Sequence, residues 1–184
     1  MKKVILVTLL AIFATIEYSN GQFLEPFQGT DGKWGFIDGK GKLAIPFKYD
    51  LVFGFTEGLA AVWLNGKGGF IDKTDSVVIP LKYGEVREFS KGMAMVDFNG
   101  KYGFIDKTDK VLIPFEFDEV RGFSDHFFRL PTDYAMVIIK GNNGFLNAKY
   151  GYIDRTGTKV VSVRYTEEKA TRKFRRYFKN NAKY

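Results

Sequence analysis

Lys33-Trp34-Gly35-Phe36-Ile37-Asp38 returns as Lys67-Gly68-Gly69-Phe70-Ile71-Asp72, as Lys101-Tyr102-Gly103-Phe104-Ile105-Asp106 and as Lys149-Tyr150-Gly151-Tyr152-Ile153-Asp154. The glycines stand 34, 34 and 48 residues apart. A second marker keeps the same ruler: Ile45-Pro46, Ile79-Pro80 and Ile113-Pro114 are again 34 apart, and Val161-Ser162 follows 48 later. Tyr49, Tyr83, Phe117 and Tyr165 obey it, as do Phe55, Phe89 and Phe123. Independent markers on one period define an internal repeat, and a period of this length means stacked supersecondary units.

The third copy shows the local physics of a unit. Gly92 to Phe98 is a short apolar run with strand character, and Asn99-Gly100 follows it. Both turn residues tolerate positive φ, which is what the tight type I′ hairpin demands. Tyr102 to Asp106 then returns antiparallel, and Asp106-Lys107-Thr108-Asp109 makes a second turn that a short carboxylate can cap. Val111 to Pro114 is the third strand; Pro114 lacks an N–H, so the ladder must end or bulge there. The unit is thus expected to be a three-stranded antiparallel meander with an aromatic-rich connection. Gly103 and its copies, set between aromatics inside a strand, are read as seats for a ring from the next repeat.

Lys-Trp-Gly-Phe-Ile-Asp, then Ile-Pro, then Tyr, then Phe-x-x-Gly-Leu-Ala at this spacing resembles the WG-repeat (KWG) family. The resemblance spans about residues 31–165. Trp34 alone keeps the family's Trp-Gly pair; Gly68, Tyr102 and Tyr150 replace the Trp elsewhere, and Ser162 replaces the last Pro. The family is bacterial and has no uniform activity. The resemblance implies a β-rich repeat scaffold used for binding and transfers no catalytic residue. The expected fold is all-β: about four meanders stacked in an open array with a C-terminal amphipathic helix. A closed, propeller-like ring is the alternative.

Composition narrows the function classes. The chain has 184 residues, 45% of them hydrophobic and 17% aromatic, which excludes a wholly disordered chain. With no Cys there is no disulfide, thiolate metal site, Cys nucleophile or lipid-bearing Cys. With one His there is no multi-His metal site. The net charge of +7 is unevenly spread. Residues 22–165 hold 19 basic and 18 acidic side chains, whereas residues 166–184 hold seven basic against two acidic. A near-neutral body argues against a nucleic-acid groove.

At the N-terminus, Lys2 and Lys3 precede an apolar run from Val4 to Ile16, and Ser19-Asn20-Gly21 supplies small residues. The run falls short of the roughly 20 residues that span a bilayer. Residues 1–21 are therefore expected to be a signal peptide cleaved before Gln22. The expected localisation is secreted or periplasmic, with residues 22–165 as the repeat domain and 166–184 as a basic C-terminal helix or tail.

No enzyme motif stands out. Asp38, Asp72, Asp106 and Asp154 could suggest calcium, but Lys73 and Lys107 follow where oxygens are wanted, so turn capping is expected. Glu116, Asp118 and Glu119 are the densest acidic cluster and read as a solvated face rather than a glycosidase pair. G-x-S-x-G, phosphate-loop and dinucleotide motifs are absent. No catalytic residue, cofactor or metal is expected.

Two features break the repeat. After Thr166, Ala170, Phe174, Tyr177 and Phe178 recur at helical spacing among Arg172, Lys173, Arg175, Arg176 and Lys179. This basic amphipathic helix either caps the exposed edge of the last repeat or docks on an anionic surface or acidic partner. The last unit also carries 14 extra residues, seven before its first strand and seven in its hairpin. The first insertion brings His126, Phe127, Phe128, Arg129 and Tyr134, the second Asn142, Asn143 and Phe145. Insertions in an array tend to emerge on the binding face, which makes His126, Arg129 and Tyr134 the candidate partner contacts. The function expected is an exported, non-enzymatic binding or scaffold module for a protein or glycan of the cell envelope. The alternatives are a carbohydrate binder using Trp34, Trp63, Tyr102 and Tyr150 as an exposed row, and a small envelope enzyme.

Overall fold

The computed structural model describes residues 23–122 and 133–181. It is built from four antiparallel sheets and one C-terminal helix. The first sheet joins β1 (Leu24–Gln28), β2 (Trp34–Asp38) and β3 (Leu43–Tyr49) in that order. The second joins β4 (Leu51–Thr56), β5 (Leu59–Leu64), β6 (Lys67–Ile71) and β7 (Val77–Tyr83). The third holds β8 (Ala94–Phe98), β9 (Lys101–Ile105) and β10 (Val111–Phe117). The fourth holds β11 (Glu119–Gly122), β12 (Tyr134–Gly141), β13 (Gly144–Asp154) and β14 (Lys159–Tyr165), and α1 (Glu167–Asn181) follows. Neighbours in sequence are neighbours in every sheet, so each is an open meander.

The three expected strands form in every unit, and in the last three units a preceding segment pairs with them. β4 and β11 pair along β5 and β12, and Val86 makes the equivalent single bridge to Val96. The aromatic-rich connection read from the sequence is therefore partly a strand, because Val52 and Val120 turn inward and need their backbone paired.

The turns behave as their residues dictate. Asn65-Gly66 and Asn99-Gly100 both have positive φ at both positions, as a type I′ hairpin requires. The aspartates cap the next turn: Asp106 Oδ1 accepts from Thr108 N at 2.8 Å, Thr108 Oγ1 at 2.7 Å and Lys110 N at 3.0 Å. Asp72 repeats this with Thr74 and Ser76, Asp154 with Thr156 and Thr158, and Asp38 with Lys40 and Lys42.

Hydrogen bonding from Thr74 and Thr108 holds the Asp72 and Asp106 carboxyls below the ordinary 3.8, and the Lys42 backbone amide does the same for Asp38. A carboxyl lowered on folding stabilises the fold above its unfolded pKa, and that contribution is lost as pH falls through the folded one. Stability should therefore fall in acid, below about pH 4. Asp106→Asn should flatten this acid limb in melts recorded from pH 2 to 6; an unchanged acid limb would show that the cap is not ionised when it works.

The Ile-Pro marker is a bulge. On β2–β3, Phe36 faces Ile45 and Trp34 faces Tyr49, so two residues on one strand span four on the other. β9–β10 and β13–β14 repeat the shift. The slack turns the third strand's carbonyls over the recurring glycine. A Cβ on Gly69, Gly103 or Gly151 would lie 2.6 Å from the carbonyl oxygen of Ile79, Ile113 or Val161. The glycine is thus a seat for backbone of its own unit. The atoms nearest these glycines are not those of the expected ring from the next repeat: at Gly103 the ring that comes closest, Phe115, belongs to the same unit.

The chain divides into two compact units, one ending at Lys82 and one starting at Tyr83. In the first, Phe36, Ile45 and Tyr49 pack with Val52, Ala60, Val62 and Ile71. In the second, β12 is buried on both faces. Ala135 and Val137 join Phe104, Ile113 and Phe117 of the third sheet, while Met136 and Ile138 turn the other way, to α1. Period-two alternation thus gives the fourth sheet two cores.

A tyrosine tie recurs between consecutive copies of the motif. Tyr49 donates to Asp75 at 2.6 Å and Tyr83 to Asp109 at 2.5 Å. At the next step Phe117 has no hydroxyl and Gly157, at the position of the aspartate, no carboxylate; both partners are replaced together.

Candidate functional site

Little of the acidic chemistry is free. Glu116 pairs with Lys159 at 3.2 Å, Glu119 with Arg121 at 2.6 Å, and Asp118 accepts from Lys101 Nζ and from the Lys140 amide, both at 2.8 Å. Each carboxylate of the cluster is held by its own cation, so no pair faces a common bond. Among the described residues no group of three or more His, Cys, Asp or Glu side chains is placed to hold a metal ion. Within the same residues no helix is long and apolar enough to cross a membrane.

The sequence-derived contacts fare unequally. His126 and Arg129, with Phe127 and Phe128, lie outside the described residues. Tyr134 opens β12, and its ring packs edge-on against Phe174 at 5.2 Å, Tyr177 at 6.1 Å and Phe178 at 6.2 Å. It works as part of the helix–sheet contact. The hairpin insertion lengthens β12 and β13 to 8 and 11 residues, against 5 each in β8 and β9. Trp34, Trp63, Tyr102 and Tyr150 are all half-buried. Trp34, Tyr102 and Tyr150 pack onto cores, and Tyr102 also donates to Glu85 at 2.5 Å. They are not an exposed row.

A concave surface lies elsewhere, between α1 and β14. The helix starts at Thr166, whose carbonyl accepts from Ala170 N at 2.9 Å, and its first turn carries Glu167 and Glu168, which suit the positive helix end. Ala170 is fully buried and Phe174 is 4% exposed, with Phe174 stacked on Tyr152 at 4.2 Å and 7°. Thr171 is hydrogen-bonded to the Tyr152 hydroxyl at 3.2 Å, and Glu167 meets Arg121 at 3.3 Å. The helix therefore covers a face of the fourth sheet, not the strand edge expected of a cap.

Docking that side turns another toward a groove of about 540 Å3. Its helix wall is Lys169, Arg172, Lys173 and Arg176, with Tyr177 and the carboxamides of Asn180 and Asn181; its strand wall is Val160, Val161, Ser162 and Tyr165. The cations stand at i, i+3, i+4 and i+7, one stripe of an α-helix. Like charges so spaced cost a few tenths of a kcal/mol per pair. Among the described residues none of the four forms an ion pair with a carboxylate.

Tyr165 organises these charges. Lys173 Nζ lies 5.0 Å and Lys169 Nζ 5.3 Å from its ring centre, and the Arg164 guanidinium 5.4 Å. Tyr165 is the repeat counterpart of Tyr49 and Tyr83. Burial first, and then their carboxylate partners, push those phenols up. Tyr165 instead accepts from Arg164 Nε at 3.3 Å, which with the nearby lysines pulls its phenol down. The same repeat position thus meets carboxylate in the body of the array and cation at the helix. The helical periodicity showed the stripe in sequence. The strand wall was missed, though its signal was present: Tyr165 keeps the repeat's tyrosine but is followed by a basic helix and not another Asp-bearing turn.

The chain matches the family described as WG containing repeat over residues 34–67, 69–102, 102–129 and 150–167. No curated protein and no solved structure matches it. The matched segments begin in β2, β6, β9 and β13, the strands that carry the recurring glycine, so the sequence repeat is offset from the sheets: residues 34–67 start in β2 and end in β6.

Proposed function

The chain belongs to the WG containing repeat family, and from that premise we propose that it is an exported, non-enzymatic binding module that takes an anionic ligand between α1 and β14. One observation carries the ligand's charge: a concave surface lined by four cations that no carboxylate of the described residues neutralises. Such a surface is stable in water but gains most when an anion replaces the water. The repeated aspartates and glycines, where catalysis could have been sought, are used by turns and bulges in copy after copy. The basic start and the apolar run from Val4 to Ile16 support export.

The full chain, expressed in a bacterium, is expected outside the cytoplasm with a mass that begins at Gln22. Titrated with polyanions and followed by NMR, it should shift amide signals of residues 160–177 and leave those of β2 and β6 in place. Protein retained in the cytoplasm at full mass would overturn export. Unmoved signals at residues 160–177 with every polyanion would overturn the groove.

A further inference from the structure

We propose that the groove holds a segment of an acidic glycan, a linear sugar chain bearing sulfate or carboxylate groups; this rests on the anion-binding reading above. Three properties of the groove select that class. Its length is the first. From Lys169 to Asn180 the helix rises about 16 Å, several times the size of a single sulfate or phosphate, so the charges address a chain and not one ion.

The second property is the mixture of polar groups. Arginine and lysine only donate hydrogen bonds, and they serve the anionic groups. Between and beyond them stand the Ser162 hydroxyl and the Asn180 carboxamide, which can both donate and accept. A sugar hydroxyl also does both. An acidic peptide meets such groups only through its backbone amides, because its carboxylates accept only, whereas each sugar carries several hydroxyls. A glycan with both kinds of group satisfies both kinds of wall.

The third property excludes a bilayer. An amphipathic helix binds an anionic membrane by burying its apolar side in the interface. Here that side is spent: Ala170 and Phe174 are buried on the sheet. The cations line a concavity, which a flat headgroup layer would bridge and not fill. Tyr165 keeps Lys169 and Lys173 gathered over its ring, so less side-chain freedom is lost when a ligand arrives.

The test is calorimetry on the full chain with three probes: a heparin hexasaccharide, polyglutamate of matched charge and phosphatidylglycerol vesicles. The hexasaccharide should bind at least tenfold more tightly than polyglutamate, and more weakly as salt is raised. Arg172→Gln with Arg176→Gln should weaken both soluble probes about tenfold or more. Ser162→Ala with Asn180→Leu should weaken the hexasaccharide alone. All four residues are exposed, and unchanged melting checks that the variants fold. Equal affinity for hexasaccharide and polyglutamate, or loss of both with Ser162→Ala and Asn180→Leu, overturns the glycan and leaves the anion groove standing. Preference for vesicles overturns the glycan in favour of a membrane. No response to Arg172→Gln and Arg176→Gln overturns the groove itself.

Discussion

Gly69→Ala is expected to destabilise the chain by about 3 kcal/mol, the upper part of the range for forcing a methyl into filled space. The new Cβ would stand 2.6 Å from the Ile79 carbonyl oxygen, 2.7 Å from that of Pro80 and 2.8 Å from the Pro80 carbonyl carbon. All three obstacles are backbone. A side chain in the way can change rotamer; these carbonyls belong to the backbone of β7, whose Ile79 is fully buried. Gly54 supplies the internal control. It too lies in a strand, yet nothing stands within 4 Å of its missing Cβ. Gly54→Ala should be neutral or raise stability by about 0.5 kcal/mol, because alanine loses less backbone freedom on folding. Urea midpoints of the two variants decide the matter. Equal midpoints would show that the glycine is kept for some reason other than backbone approach.

That contrast also shows what the sequence makes legible. The period, the hairpin turns at Asn65-Gly66 and Asn99-Gly100 and the aspartate caps are local chemistry repeated in copies, and repetition separates structural residues from chance. Pro46 and Pro114 marked the bulge for the same reason: a residue without an N–H interrupts a ladder wherever it falls. What the bulge does to Gly35 and its copies is not local. It depends on two extra residues in the facing strand, visible only once register is known. The extra strand of the second and fourth sheets was obscured for a related reason: segments such as Leu51–Thr56 lack a clean alternation, because Val52 is buried while the aromatics Phe53 and Phe55 sit half-exposed. The helix stripe was visible from periodicity. The groove was not, because it needs Tyr165 and Ser162 from a strand whose placement beside the helix is a tertiary fact.

Phe174→Ala should release α1 from the fourth sheet. Removing a buried phenylalanine costs about 3–5 kcal/mol when the site cannot collapse. Phe174 has no easy replacement: it lies flat on Tyr152 and edge-on to Tyr134, and Phe178 is 6.1 Å away on the exposed side of that cluster. The helix is 15 residues long and carries six cations, a length at which isolated helices are marginal in water. Its docking therefore supplies most of its order, and a loss of that size exceeds what the Arg121–Glu167 pair and the Thr171 hydrogen bond can retain. The meanders need not melt with it, since β12 keeps Ala135 and Val137 in its other core. The expected result is a fall in helical circular dichroism and trypsin cleavage within Lys169–Arg176 at least ten times faster than in the unaltered chain. Met136, Ile138 and Tyr152 would be uncovered, so a hydrophobic dye should bind. Anion binding should disappear too, although no cation has been touched, because the groove exists only while helix and strand stand together. Arg175→Ala, on the exposed side of the same helix, should do none of this. If Phe174→Ala keeps both its helix and its resistance to trypsin, the stacked ring is not what fixes α1, and the wall that it positions must be held by other contacts.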